Sequence, residues 1–362
     1  MSTDKFLLLV LRNKKINSFD KTDKLISSFA DFGYWFDKIS YVDYGNPQSI
    51  VQAIEEGKSN FENTVIVYPP EMDNTLKQYI GQSYSAEFDN LNCLSVENKS
   101  VFLLNSEADN KQSVADISEI LNKKYGKSYL RAYIKTVGAS GDKISEALSK
   151  AKEICSEVDF CITEKYGECS IEMLYGSDMP KTIFDEIIRA VLGVLNEYVY
   201  ALEDITLAER FVQLLNLRGM KICVAESFTG GGVSKRLVEI PGVSSVFFEG
   251  LNTYSNQSKE VRLGVKKATL EQYGAVSEQT AAEMAKGLIL KGNCDVAVST
   301  TGIAGPNSDN TNKPVGLFYI GVATKESVQV YKYNLTGSRK SITETAINFA
   351  LFLAYKLIKK EV

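Results

Sequence analysis

The chain has 362 residues, 44% of them hydrophobic, with 41 Lys and Arg against 45 Asp and Glu, and no histidine. That length predicts two or three domains, and the apolar content suits well-formed cores and argues against disorder. A net charge of −4 without any basic block makes nucleic acid a poor partner, and the missing histidine removes the commonest general base.

The opening stretch MSTDKFLLLVLRNKK carries a short apolar run flanked by charge, without a small-residue cleavage site, and reads as a first strand rather than a leader. FLLLVL (6–11), TVIVYPP (64–70) and SVFLLN (100–105) are short, apolar and rich in branched residues, the pattern of buried strands. KTDKLISSFADFG (21–33) and PQSIVQAIEEG (47–57) read as amphipathic helices between them, so a parallel sheet with crossover connections is expected over 1–125. Residues 126–202 change order. A strand (129–138), a helix capped by serine (140–155), two strands joined by a turn (158–167 and 169–176) and a long helix (179–200) predict a small α+β domain that links its neighbours.

From 203 onward the pattern predicts an α/β domain with a mixed sheet. Its elements are a helix ending at a glycine (205–219), a strand KICVAES (221–227), a helix (231–240), a strand (246–255) and short helices. A helix capped by Ser277 (278–292), a strand (294–302), a hairpin (316–325 and 327–335) and a closing helix (341–360) follow. No run of about 18 apolar residues exists, so no membrane span is expected. The six cysteines, Cys93, Cys155, Cys161, Cys169, Cys223 and Cys294, form no C-x-x-C pair, which predicts buried thiols in a reducing cytoplasm. Without histidine or paired cysteines a zinc site is not expected, while a carboxylate magnesium site stays open.

Five blocks in the last segment carry chemistry: AESFTGG (225–231), PGVSSVFFEG (241–250), TYSNQSK (253–259), GAVSEQT (274–280) and TTGIAGPNSDNTNKPVG (300–316). They supply the serines, a tyrosine, a lysine and glycine-rich turns that acyl transfer needs. A nucleophilic serine without histidine is commonly activated by a lysine, which can lose its proton in a dry pocket. In the first block a strand runs into a helix, whose free N–H groups suit a phosphate or an oxyanion. The long loop after the 294–302 strand lies where α/β folds place ligands. Arg339, at the start of the last helix, offers a bidentate phosphate clamp. Each feature alone also has a plain structural meaning as cap, turn former or surface charge; it is their combination that points to a site.

In this order the blocks resemble the C-terminal domain of the CinA (competence/damage-inducible) family, the nicotinamide mononucleotide (NMN) amidohydrolase, over 203–362. The resemblance implies hydrolysis of NMN to nicotinic acid mononucleotide and ammonia in pyridine nucleotide salvage, with no metal and no cofactor. It implies catalytic roles for Ser244 as nucleophile, Lys259 as base, Tyr254 as proton relay and Ser227 at the oxyanion. Substrate binding would fall to Thr229, Gly230, Gly231, Gly302, Gly305, Lys313 and Arg339. The family's second arginine, four residues beyond Arg339, is Thr343 here. A homodimer is also implied, acting in the cytoplasm on a small nucleotide, with no membrane or nucleic acid partner.

Residues 1–125 resemble the family's molybdopterin-binding-like domain in layout only. VLRNKKINSFD stands where the family has a G-T-E motif, and YPPEMDNTLKQ (68–78) replaces its glycine-rich G-P-T-x-D-D stretch, leaving Asp73 and Thr75 as remnants. Loss of the glycines predicts loss of the ADP-ribose pyrophosphatase activity associated with some members. The alternative reading of the whole is a catalytically silent nucleotide-binding regulator linked to competence or DNA damage.

Overall fold

The computed structural model describes residues 5–13, 20–307 and 312–360. These divide into two compact units, Met1–Arg131 with Leu174–Met179, and Ala132–Met173 with Pro180–Val362.

The first unit alternates strands β1 (Phe6–Arg12), β2 (Lys38–Asp43), β3 (Asn63–Tyr68), β4 (Cys93–Val96) and β5 (Lys99–Asn105) with helices α1 (Asp20–Ala30), α2 (Pro47–Asn60), α3 (Asp73–Tyr84) and α4 (Lys111–Tyr125). The sheet order is β2-β1-β3-β5-β4, parallel except where β4 runs against β5. Strand periodicity explains the apolar run of β1. Leu7, Leu9 and Leu11 pack toward α2 and α3, while Phe6, Leu8 and Val10 pack toward α1 and α4, so both faces are covered. The stretch 14–19, where the family's G-T-E motif would fall, lies outside the described residues.

The second unit opens with a four-stranded sheet in the order β7-β8-β6-β9, built from β6 (Tyr129–Val137), β7 (Asp159–Lys165), β8 (Glu168–Gly176) and β9 (Val199–Ala201). The first residues of β6 and the last of β8 belong to the first unit. Helices α5 (Gly141–Ile154) and α6 (Lys181–Leu195) complete a split βαβ arrangement. Ser140 caps α5, as its sequence predicts. The expected helix over 179–200 is too long. It stops at Leu195, and the β-branched and aromatic Val199–Ala201 pair with β6 instead.

The rest of this unit is an α/β layer structure of α7 (Leu207–Arg218), β10 (Ile222–Glu226), α8 (Gly232–Val238), β11 (Phe247–Asn252), α9 (Asn256–Leu263), α10 (Lys267–Tyr273), α11 (Glu278–Leu290), β12 (Val296–Gly302), β13 (Leu317–Ala323), β14 (Val328–Asn334) and α12 (Arg339–Lys360). The sheet order is β11-β10-β12-β13-β14. The first three strands are parallel and the β13–β14 hairpin antiparallel, a mixed sheet as expected. Ile222, Val224, Val296 and Val298 face α7, α8 and α12, while Cys223, Ala225 and Ala297 face α9–α11. β10 is therefore buried on both sides, and the chain passes from it to β11 on one side and only later to β12 on the other. The crevice between the carboxyl ends of β10 and β12 is the switch point where folds of this kind bind ligands.

Candidate active site

β10 delivers Glu226 and Ser227 to that crevice. The Ser227 N–H donates to Thr300 O at the end of β12 (3.0 Å), and Thr253 N, just past β11, donates to Glu226 O (2.7 Å). Three strand ends are thereby tied at one place. Ser255 caps α9, whose second turn carries Lys259 back under the ends of β10 and β11.

Lys259 is the unusual group here, at 1% exposure. Its Nζ donates to Ser227 Oγ (3.0 Å), Thr253 O (2.8 Å) and Tyr254 O (3.1 Å). No carboxylate among the described residues pairs with it. Burial favours the neutral amine and pushes the ammonium down to about 8. A neutral lysine has two N–H bonds and one lone pair. The two carbonyls accept both hydrogens, which leaves the lone pair for the Ser227 hydroxyl. Ser227 is itself 8% exposed, so the hydroxyl is the more accessible member of a buried pair.

Glu226 is the residue that sequence reasoning missed. It is 1% exposed, yet carries five donors: Thr229 Oγ1 (2.8 Å), Gly231 N (3.0 Å), Val233 N (3.0 Å), Ser234 N (2.8 Å) and Ser234 Oγ (2.7 Å). The expected free N–H groups at the start of α8 are thus already taken by a carboxylate, and they hold no phosphate. The sequence signal was an acid one residue ahead of the serine, with Thr229 three residues on and glycines that let the chain turn back. Gly230 and Gly231 sit at φ +61° and +96°, a left-handed pair that other residues rarely adopt. Thr229 gives its proton to Glu226, so Thr300 Oγ1 must be the donor of the 2.6 Å contact between the two threonines.

Ser244 lies elsewhere. It is in the short 3-10 turn before β11, and Ile222 N, at the start of β10, donates to Val246 O beside it. β10 and β11 run parallel with Ile222 facing Phe247 and Glu226 facing Asn252. Ser244 therefore sits at the amino end of the sheet, roughly 16 Å of strand away from Lys259. The geometry does not allow it to attack with Lys259 as base.

Tyr254 contributes its backbone carbonyl to Lys259, while its ring is 69% exposed and its hydroxyl bonds neither Ser227 nor Lys259. The remaining residues expected at the substrate act on the protein. A Cβ on Gly302 would stand 2.4 Å from the Phe318 Cβ, and one on Gly305 would stand 2.6 Å from Val315 Cγ1, so close packing requires both glycines. Lys313 Nζ donates to Tyr273 O (2.7 Å) and Val276 O (2.6 Å), tying this loop to the turn before α11. The Arg339 guanidinium donates to Gly305 O (2.8 Å), and Thr343 Oγ1 folds back on Arg339 O. Residues 308–311 of the same loop lie outside the described residues. Among those described, no cluster of acids and cysteines is placed to hold a metal ion, and no helix is long and apolar enough to cross a membrane.

The CinA C-terminal domain family matches residues 204–358. These residues belong to that family. A CinA-like protein of Fusobacterium nucleatum is 36% identical over 256 residues, 70% of this chain and 59% of its own length. A CinA-like protein of Chlorobium phaeobacteroides is 52% identical over 140 residues, 39% of this chain and 33% of its own. The crystal structure of competence/damage inducible protein CihA from Agrobacterium tumefaciens is 35% identical, covering 42% of this chain and 94% of that one with a TM-score of 0.41. The chain spans about half the length of the curated relatives it matches. The Ser227–Lys259 pair and the Glu226 anchor all fall within the CinA C-terminal domain.

Proposed function

We propose that the CinA C-terminal domain hydrolyses the carboxamide of nicotinamide mononucleotide, with Ser227 as nucleophile and Lys259 as its base. The observation that carries the reading is a buried lysine 3.0 Å from the serine just past the carboxyl end of β10, with its other donors held by two backbone carbonyls. Neutral Lys259 takes the Ser227 proton as Oγ attacks the amide carbon. The carbonyl oxygen becomes an oxyanion. Among the described residues the Phe228 and Thr229 N–H groups have no protein acceptor, and they lie just after the nucleophile, where such a turn places its oxyanion donors. Collapse of the intermediate expels ammonia, which takes its proton from Lys259. Water then attacks the acyl-serine with Lys259 again as base, and nicotinic acid mononucleotide leaves. No step calls on a metal. Tyr254, exposed beside the pair, stays on the substrate side.

Rapid quenching with NMN and mass analysis of the peptides tests the assignment. An acyl adduct on the Ser227 peptide is expected; an adduct on Ser244 instead would refute it.

The first unit is proposed to lack ADP-ribose pyrophosphatase activity. A cavity of about 610 Å³ lies at the carboxyl ends of β1, β3 and β5, and no glycine is among its described lining residues. The remnant Asp73 accepts from Tyr68 Oη (2.5 Å) and pairs with Lys77 (3.0 Å), which leaves its carboxylate engaged. We propose likewise that the chain forms a homodimer, which a solution mass measurement tests.

A further inference from the structure

We propose that Glu226 is the positioning residue of the Ser227 site, an inference that rests on the amide-hydrolase reading above. The residue is joined to both halves of the pair. Its side chain gathers five donors from Thr229, Gly231, Val233 and Ser234, which folds the turn after Ser227 onto the start of α8. Its backbone carbonyl accepts the Thr253 N–H (2.7 Å), and the Thr253 carbonyl in turn accepts from Lys259 (2.8 Å). One residue thus fixes where the nucleophile turn sits and where the base points.

The carboxylate chemistry is specific. Oε2 takes three donors and Oε1 takes two, so no orientation of a glutamine amide fits: its NH2 group would face two or three hydrogens. A buried carboxylate holding this many charge-assisted bonds fixes the turn far more firmly than a neutral cap. It also occupies with its own charge the start of α8, just after Ser227. The reacting end of the substrate is therefore expected to be an uncharged carbonyl, and the carboxylate product gains nothing there that would retain it.

Glu226 touches no reacting atom, so its removal should act through the placement of Ser227. The test compares wild type, Glu226→Gln and Thr229→Val in the full chain. Three quantities are measured: the unfolding midpoint, kcat and KM for ammonia release from NMN, and the rate at which a fluorophosphonate labels Ser227 between pH 6 and 9. A displacement near 1 Å costs about 100-fold in rate. E226Q is accordingly expected to lose about 100-fold in both kcat and labelling, with KM changed less than threefold and the labelling midpoint still near pH 8. T229V, which removes one of the five donors and the link to Thr300, should lose about tenfold, and Thr229→Ser should recover part of that. Wild-type labelling in folded E226Q, or an effect on KM alone, would overturn the inference. If E226Q does not fold, T229V decides by the same criterion. If wild type labels at Ser227 but does not release ammonia, the NMN reading fails, while the labelling comparison still decides the role of Glu226.

Discussion

Replacing Lys259 with Met should remove both the chemistry and a pH-dependent part of the stability. The unfolded lysine titrates at 10.5, while burial lowers the folded group to about 8. Between these values the folded state binds fewer protons than the unfolded chain, so stability rises with pH. The gain attributable to Lys259 between pH 7 and pH 10 is about 2.5 kcal/mol. K259M cannot make this gain, so the wild-type-minus-variant difference in unfolding free energy should grow by about 2.5 kcal/mol over that range. Denaturant titrations at pH 7, 8, 9 and 10 measure it, and taking the difference cancels the titration of groups away from the site. The same group controls catalysis. At pH 7 about one lysine in ten is neutral, and at pH 8 about half are, so kcat should climb along a limb centred near pH 8. A stability difference flat with pH, or a rate limb centred near 6.5, would refute the view of Lys259 as a buried base.

Ser227→Ala should reduce amide hydrolysis at least about 1000-fold, whereas Ser244→Ala, at the far end of the sheet, should stay within about twofold of wild type; the two kcat values decide between the serines. Gly287→Ala would place a Cβ 1.9 Å from the Leu263 carbonyl on α9. It should destabilise the protein by about 1–3 kcal/mol in denaturant titration and lower kcat by shifting the helix that carries Lys259. Incubation with ADP-ribose and magnesium or manganese should give no AMP above a no-enzyme control; metal-dependent turnover would show that the first unit retains a phosphate site without glycines.

Much of the fold was legible because its strongest elements carry strong local patterns. KICVA is a strand buried on both faces, so its apolar run is unbroken. Ser140 and Ser277 cap the helices they announce, and Gly219 closes α7. The weaker elements were not legible. β2 is half exposed and reads KISYVD, and β9 has only three residues, so neither shows a period; each exists through its pairing partner. The site was read in composition and misread in arrangement. Ser227 and Ser244 each lie in a glycine-bearing turn next to a strand, and residue type alone does not separate them. What separates them is that β10 and β11 run parallel, so the residue after one strand and the residue before the other lie at opposite ends. Glu226 escaped for a related reason. A lone acid at a strand end reads as surface charge until the following turn is seen to wrap its donors around it. Arg339 looked like a phosphate clamp and Lys313 like a substrate ligand because a cation in a loop has no visible partner in sequence, whereas backbone carbonyls accept from both.

The most direct measurement incubates the purified chain with NMN, without added metal, and follows ammonia and nicotinic acid mononucleotide together, with Ser227→Ala as the control. The account predicts equal amounts of both products from wild type and none above background from the variant. Absence of both from folded wild-type protein, or equal release by the variant, would contradict it.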